Sequence, residues 1–572
     1  MIPRRLWAIA ALTCLIASPA FARDQLSADT LLGGKIAGSV QMDALARPLD
    51  AMEAPAPFSG RLVLIGPRDA KGFEVIHNTE VDLKAHPAIR TLPAFDFAFV
   101  QAGDALIPVR RGPVAGAHPD WEWVLEPGAV WREAGDRGYS RASIPFALEE
   151  RNANCLHNGV LSFLFKSGGQ VSDVYFQISS ETCAYFKFDA WGVMKARYVP
   201  GPVAHAAEIQ AAYHAELAHR LPVRPIADLV RAHPELSAEA FALAKPKDGD
   251  PPTLYGLVFD GVNYTGGCET RAGPYPYCDV LDLPSYSTAK SVVGAVGLMR
   301  IEALWPGARR AMIADYVPDC AASGWQGVTF EDALNMASGH YRSAGYEADE
   351  DAPDYAPFFD TEQHAAKIAF SCRHYLRQAD PGAVWVYRTA DSYILGTAMQ
   401  AFVRQRLGAD RDLYTDILVG QLWRPLGLSP ALMDSRRTRD QDRQIFTGYG
   451  LVYHRDDIAR LAHWLGTGQG RIAGRPMLDP ALLDRALQRQ AAPQGLQAGA
   501  AKFRYADGFW AEDIGPVLKC AHAVWVPFMS GFGGISVVLL PDGVQYYDFG
   551  DSNVFDWTPA AVAIDKLRPM CG

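Results

Sequence analysis

The stretch that most restricts how this chain folds is "SVVGAVGLMRIEAL", residues 291–304. It carries small and apolar side chains on every side and no acidic or basic residue until Arg300. A helix with no polar face has to be surrounded by protein, so this segment predicts the central helix of a core. Immediately before it stands "SYSTAK". Ser287 and Lys290 lie three apart at the amino end of that helix, where residues at this spacing share one face. A serine hydroxyl needs a nearby base to become a nucleophile, and a lysine can serve if burial lowers its pKa. The spacing is short enough to arise by chance, and the bland alternative is a helix cap beside a solvated lysine.

The surrounding chain is organised around this helix. With 572 residues, of which 49% are hydrophobic, it is too long for one ordinary core, and two folded domains are expected. Residues 1–22 place Arg4 and Arg5 before an apolar run ending in Ala20-Phe21-Ala22, the order of a secretory signal peptide. Residues 23–220 alternate strand-like runs with Gly-Pro and Gly-Gly turns, which predicts a β-rich N-terminal domain of unassigned role. Residues 221–252 read as a helical and Pro-rich connection ending in "KPKDGDPP". From residue 253 onward, "LYGLVFDGVNYTGG" predicts a hairpin with an Asp-Gly turn, helices follow, and strand-like runs return near the end. That order describes an α+β domain, an antiparallel sheet whose first and last strands meet, with a helical subdomain between them.

Cysteine and charge restrict the setting. Cys14 lies in the leader; the remaining eight, Cys155, Cys183, Cys268, Cys278, Cys320, Cys372, Cys520 and Cys571, predict disulfides in an exported protein, paired neighbour to neighbour. No C-x-x-C or H-E-x-x-H spacing is present, so neither a metal nor any other cofactor is expected. Loss of the leader removes two positive charges from a chain of formal net charge −10, which disfavours nucleic acid as a partner. No later run is apolar and long enough to span a membrane, so a periplasmic location is expected, with oligomeric state open.

Downstream motifs give Ser287 its context. "VTFEDALNMASGHY" at 328–341, "PGAVWVYRTADSYILG" at 381–396, "LWRPLGL" at 422–428, "GYGLVYHRDDIARLA" at 448–462 and "MSGFGGISVVLLP" at 529–541 follow one another. Together they resemble, in order, the motifs of the serine hydrolases that include class C β-lactamases, D-alanyl-D-alanine carboxypeptidases, family VIII esterases and 6-aminohexanoate-dimer hydrolases. The resemblance spans residues 253–560 and implies a β-lactamase-like catalytic domain that forms an acyl-enzyme on a small ester or amide. By position it implies Ser287 as the acylating serine, Lys290 as its base and Tyr387 as the proton relay. The backbone N–H groups of Ser287 and Phe532 take the oxyanion-hole positions, and Thr389, Arg388, Met529, Ser530 and Gly531 take substrate-binding positions.

Two departures from the family pattern stand out. Thr389 replaces the asparagine of Tyr-x-Asn, and Met529 replaces the lysine or histidine before the Thr-Gly equivalent, Ser530-Gly531. Losing that cation argues against efficient β-lactamase activity and for an esterase or amidase. Arg388 either meets an anionic group of substrate or pairs with a neighbouring acid, and Asp391 is expected as a helix cap. The loop at 343–360 reads equally as a lid or as a solvated surface. A second class of function, a non-catalytic member that binds cell wall or protein, is kept open by the two departures.

Overall fold

The computed structural model describes residues 26–243 and 253–571, so the expected signal peptide at 1–22 and the "KPKDGDPP" segment lie outside the described residues. The β-rich half closes on itself. Strands β1 (Ser59–Ile65), β2 (Asp96–Ala102), β3 (Ala105–Pro108), β4 (Gly128–Trp131), β5 (Ser140–Glu150), β6 (Leu156–Phe165), β7 (Val174–Thr182) and β8 (Phe186–Pro200) pair antiparallel, each with the next, and β8 pairs back on β1. Eight strands in this ring form an up-and-down barrel, which leaves no free edge. Its interior is filled: Phe58 packs against Phe99, Phe163, Phe165 and Tyr198 at centroid separations of 4.3–6.0 Å.

β5, β6 and β7 are buried on both faces, unlike an ordinary barrel wall. One face lines the barrel, and the other lies against the rest of the chain, where Val160, Leu164 and Tyr175 join the same apolar cluster as Val296 and Leu298. Near-continuous apolar runs in these strands follow from that double burial.

The second sheet contains β9 (Val223–Pro225), β10 (Leu254–Phe259), β11 (Val262–Gly267), β12 (Leu496–Gln497), β13 (Phe503–Ala506), β14 (Phe509–Asp513), β15 (Trp525–Gly531), β16 (Ile535–Leu540) and β17 (Val544–Phe549), in the order β9-β11-β10-β17-β16-β15-β14-β13-β12. Pairing is antiparallel except between β9 and β11. The expected hairpin is β10–β11, turning at Asp260 and Gly261, whose φ values of 49° and 75° suit a tight two-residue turn. The expected meeting of first and last strands is the β10–β17 ladder. β9 lies within the segment read as a connection, so the sheet recruits a strand from before residue 253.

Side chains alternate across this sheet. Val537 and Leu539 face the helices α1 (Val296–Leu304) and α3 (Arg455–Gly466), whereas Val538 and Leu540 pack with Ala560 and Ile564 of the C-terminal helix. Between β11 and β12 runs the helical part, including α2 (Thr389–Leu407). The architecture is α+β, and the "SVVGAVGLMRIEAL" segment is buried as expected, its first turns π-helical at Lys290–Ala295 before α1. Disulfides join Cys155 to Cys183, Cys268 to Cys278, Cys320 to Cys372 and Cys520 to Cys571, the neighbour pairing expected. Among the described residues no helix is long and apolar enough to cross a membrane.

Candidate active site

Ser287 stands in the turn that opens the central helix. The short ladder between Leu283–Pro284 and Val452–Tyr453 delivers the chain to this point, and Lys290 N–H donates to the Ser287 carbonyl at 3.0 Å to begin helical winding. Three hydroxyls then surround one amine. Lys290 Nζ lies 2.8 Å from Ser287 Oγ, 2.9 Å from Tyr387 OH and 2.9 Å from Thr389 Oγ1, and Tyr387 OH is 2.6 Å from Ser287 Oγ. Residues about one hundred positions apart thus meet within hydrogen-bond distance.

Burial decides the state of this amine. Lys290 is 3% exposed, and desolvation brings its pKa down to about 8, opposed by the charges of Glu350 and Glu347. At pH 7 that leaves roughly one molecule in ten with a neutral amine, against roughly one in three thousand for an ordinary lysine. Tyr387 moves the other way: burial, reinforced by Glu350, holds its pKa well above 10, while its hydrogen bond to Ser287 pulls it down. It therefore stays a phenol and a proton donor at neutral pH.

Glu350 was not visible as a site residue in the sequence, where it sits in the acidic run "EADEDAPD". Its carboxylate accepts from Thr389 N–H at 2.8 Å and also from Thr389 Oγ1. Burial raises the Glu350 pKa, and Lys290 and Thr389 oppose the rise. The 343–360 loop, exposed along much of its length, thus brings a carboxylate beside the lysine. Asp349, buried beneath it, accepts from the N–H groups of Arg342 and Ser343 at 2.7 and 3.1 Å and shapes the loop's start. Thr389 receives the lysine on one side and donates to Glu350 on the other, a relay that a hydroxyl, donor and acceptor at once, can make.

Aromatic rings flank the hydroxyls. Tyr387 and Trp510 stack at 6.3 Å, Trp385 meets Trp510 edge-on at 5.2 Å, and Phe528 stacks on Trp510 at 6.1 Å. Tyr346, from the loop, reaches both Trp385 and Trp510 at 6.3 Å.

Other expected site residues divide. Gly531 ends β15 against the 285–287 turn, where an added Cβ would come within 3.0 Å of the Ser285 carbonyl; glycine permits that approach. Phe532 follows, its ring 5.6 Å from Tyr286, so Ser530, Gly531 and Phe532 lie along the turn. Met529 does not belong with them. Strand alternation points it away from Phe528, into the core with Val537, fully buried. Arg388 is also withdrawn from substrate: it is 1% exposed, donates to Asp391 Oδ1 at 2.6 Å and to the His340 carbonyl, and lies over the Tyr375 ring. A buried guanidinium needs a counter-charge, and Asp391 supplies it. Asp391 accordingly lies inside α2 as the partner of Arg388, and Arg388 occupies the cap position.

No family model matches the chain, and no curated protein matches it. Solved structures do. A penicillin-binding protein homolog from Caulobacter crescentus is 19% identical, with 57% of this chain and 94% of that one covered at a TM-score of 0.41. A D-stereospecific amidohydrolase from Streptomyces sp. is 15% identical, covering 58% and 97% at 0.40. A class C β-lactamase is 11% identical, covering 64% and 97% at 0.41.

Proposed function

We propose that this protein is an exported serine hydrolase that cleaves a small ester or amide through an acyl-enzyme on Ser287. One observation carries the reading: Ser287 Oγ is met at hydrogen-bond distance by both a lysine whose pKa is lowered to about 8 and a tyrosine held as a phenol. The neutral fraction of Lys290 takes the serine proton as Oγ attacks the substrate carbonyl carbon. Backbone N–H groups of Ser287 and Phe532 stabilise the resulting oxyanion. Tyr387 gives its proton to the leaving amine or alcohol and regains one from Lys290, 2.9 Å away, before water hydrolyses the ester on Ser287. Four disulfides fit an oxidising compartment such as the periplasm.

Methionine at 529 offers no cation to a substrate carboxylate, and its side chain is turned into the core, which favours esterase or amidase over β-lactamase chemistry. The test is intact-protein mass spectrometry after exposure to a fluorophosphonate, a p-nitrophenyl ester and a penicillin. A stable or turning-over adduct on the wild type, absent from Ser287→Ala, is expected. A folded wild type that takes up none of the three reagents would sink the proposal.

A further inference from the structure

Tyr286, the residue before the nucleophile, has φ 39°, the left-handed region that a tyrosine rarely occupies. Such a conformation persists only where its surroundings over-determine it. Here the determining contact comes from the barrel. The loop between β5 and β6 carries Asn154, 1% exposed and next to Cys155, which the bond to Cys183 anchors. Asn154 Oδ1 accepts from Tyr286 N–H at 2.8 Å, from Ser285 Oγ at 3.0 Å and from Gly450 N–H at 3.1 Å. Its Nδ2 donates to the Leu451 carbonyl at 3.2 Å and to Glu149 Oε1 at 3.1 Å. Ser285 and Leu451 are themselves joined, by Ser285 N–H to the Leu451 carbonyl at 2.9 Å and by Leu451 N–H to Ser285 Oγ at 3.0 Å.

We propose that Asn154 is a positioning residue for Ser287: its amide holds Tyr286 in the left-handed turn that aims Ser287 Oγ at Lys290 and Tyr387, making the barrel a constitutive part of the active site. The proposal rests on Ser287 being the nucleophile. The uncharged amide supplies an acceptor for Tyr286 and a donor for Leu451 together. Aspartate would lose the donor and set a second carboxyl beside Glu149, which burial already pushes up to about 7. The same barrel loop also holds the end of the 343–360 segment and the residues after it: Arg151 pairs with Glu362, and Asn152 Nδ2 donates to the Phe359 carbonyl.

Asn158 provides the control. It also ties the barrel to the second half of the chain, donating to the Asp282 carbonyl at 3.0 Å and accepting from Asp282 N–H at 3.2 Å, but these bonds do not involve Ser285, Tyr286 or Leu451. The experiment compares mature wild type, Asn154→Ala, Asn154→Ser and Asn158→Ala by three readouts: the rate of fluorophosphonate labelling at Ser287, thermal midpoint, and hydrogen exchange of the 283–290 peptide. Asn154→Ala should slow labelling about 10- to 100-fold and speed exchange at 283–290. Its thermal midpoint should match that of Asn158→Ala, which should label at the wild-type rate. Equal labelling rates for Asn154→Ala and wild type, or a loss that Asn158→Ala shares, overturns the proposal. If the alanine variant does not fold, Asn154→Ser, which leaves a smaller void, carries the same comparison. An unlabelled wild type would refute the nucleophile reading instead, and unchanged exchange in the Asn154 variants would then refute Asn154's hold on the turn by itself.

Discussion

Two lysines in this protein are buried in opposite kinds of surroundings. Lys290 faces three hydroxyls, and Lys367 mostly faces rings: its Nζ lies 4.4 Å from the Phe358 centroid and 4.7 Å from that of Phe446, with the Phe358 carbonyl and, at 3.5 Å, the Tyr449 hydroxyl as its acceptors. Burial lowers both pKa values, to about 8 and about 7. The more strongly shifted lysine is thus the one with no nucleophile beside it. A lowered pKa marks desolvation; chemistry also requires a group whose proton the amine can take. Aromatic faces, one carbonyl and the Tyr449 hydroxyl at 3.5 Å surround the Lys367 amine, whereas Lys290 spends its contacts on the three hydroxyls that the proposed mechanism uses.

That contrast is broken most directly by removing each amine. Lys290→Met should lower the acylation rate constant by about a thousandfold, the range for a lost general base, while Lys367→Met should leave kcat and KM within about twofold. Stopped-flow acylation by a p-nitrophenyl ester measures both, and comparable losses in the two variants would erase the distinction. The pH profile is the next largest effect. Because the active form is the neutral amine, acylation should climb with pH through about 8 and then level off. A rate already flat across pH 6–9 would show that another group limits the step.

Glu350→Gln sharpens the same profile. Glu350 holds the Lys290 pKa up, so its neutralisation should move the rising limb to lower pH, by about one unit or less. A shift to higher pH would contradict the assignment. The smallest effect is on stability. A lysine whose pKa is depressed on folding costs most when both states are protonated, and that cost is relieved as pH rises above the folded value of about 7. Lys367→Met should therefore gain most in thermal midpoint relative to wild type near pH 6, and the gain should shrink towards about pH 9. Calorimetry over that range reads the difference, and a gain that grows with pH would reverse the argument.

Local features were legible in the sequence because their geometry is set within a few residues. Ser287 and Lys290 stand one helical turn apart whatever surrounds them, an Asp-Gly turn folds a hairpin from its own backbone preferences, and a helix apolar on every side has to be buried. The resemblance located Tyr387 and Thr389 by their place in a motif. Motif position put Arg388 and Met529 among the substrate contacts, and for Arg388 an acid partner stood open beside that reading: motif position places a backbone, but the direction of a side chain depends on which neighbour offers a counter-charge or an apolar pocket. Asp391 drew Arg388 inward, and strand alternation turned Met529 into the core.

Glu350 and Asn154 carried no local signal at all. One was an acid in a run of acids, the other an asparagine in a hairpin loop of the β-rich half. By itself the sequence determined the Ser287–Lys290 spacing at the start of the central helix, the order of elements in the α+β half and the pool of cysteines. Tertiary structure alone decided that the eight strands close into a ring, that Glu350 of the acidic loop comes beside Lys290, and that the barrel reaches Tyr286. Spacing along the chain governs contacts within a turn or two, while contacts across tens to hundreds of residues follow from how whole sheets bury their faces against one another.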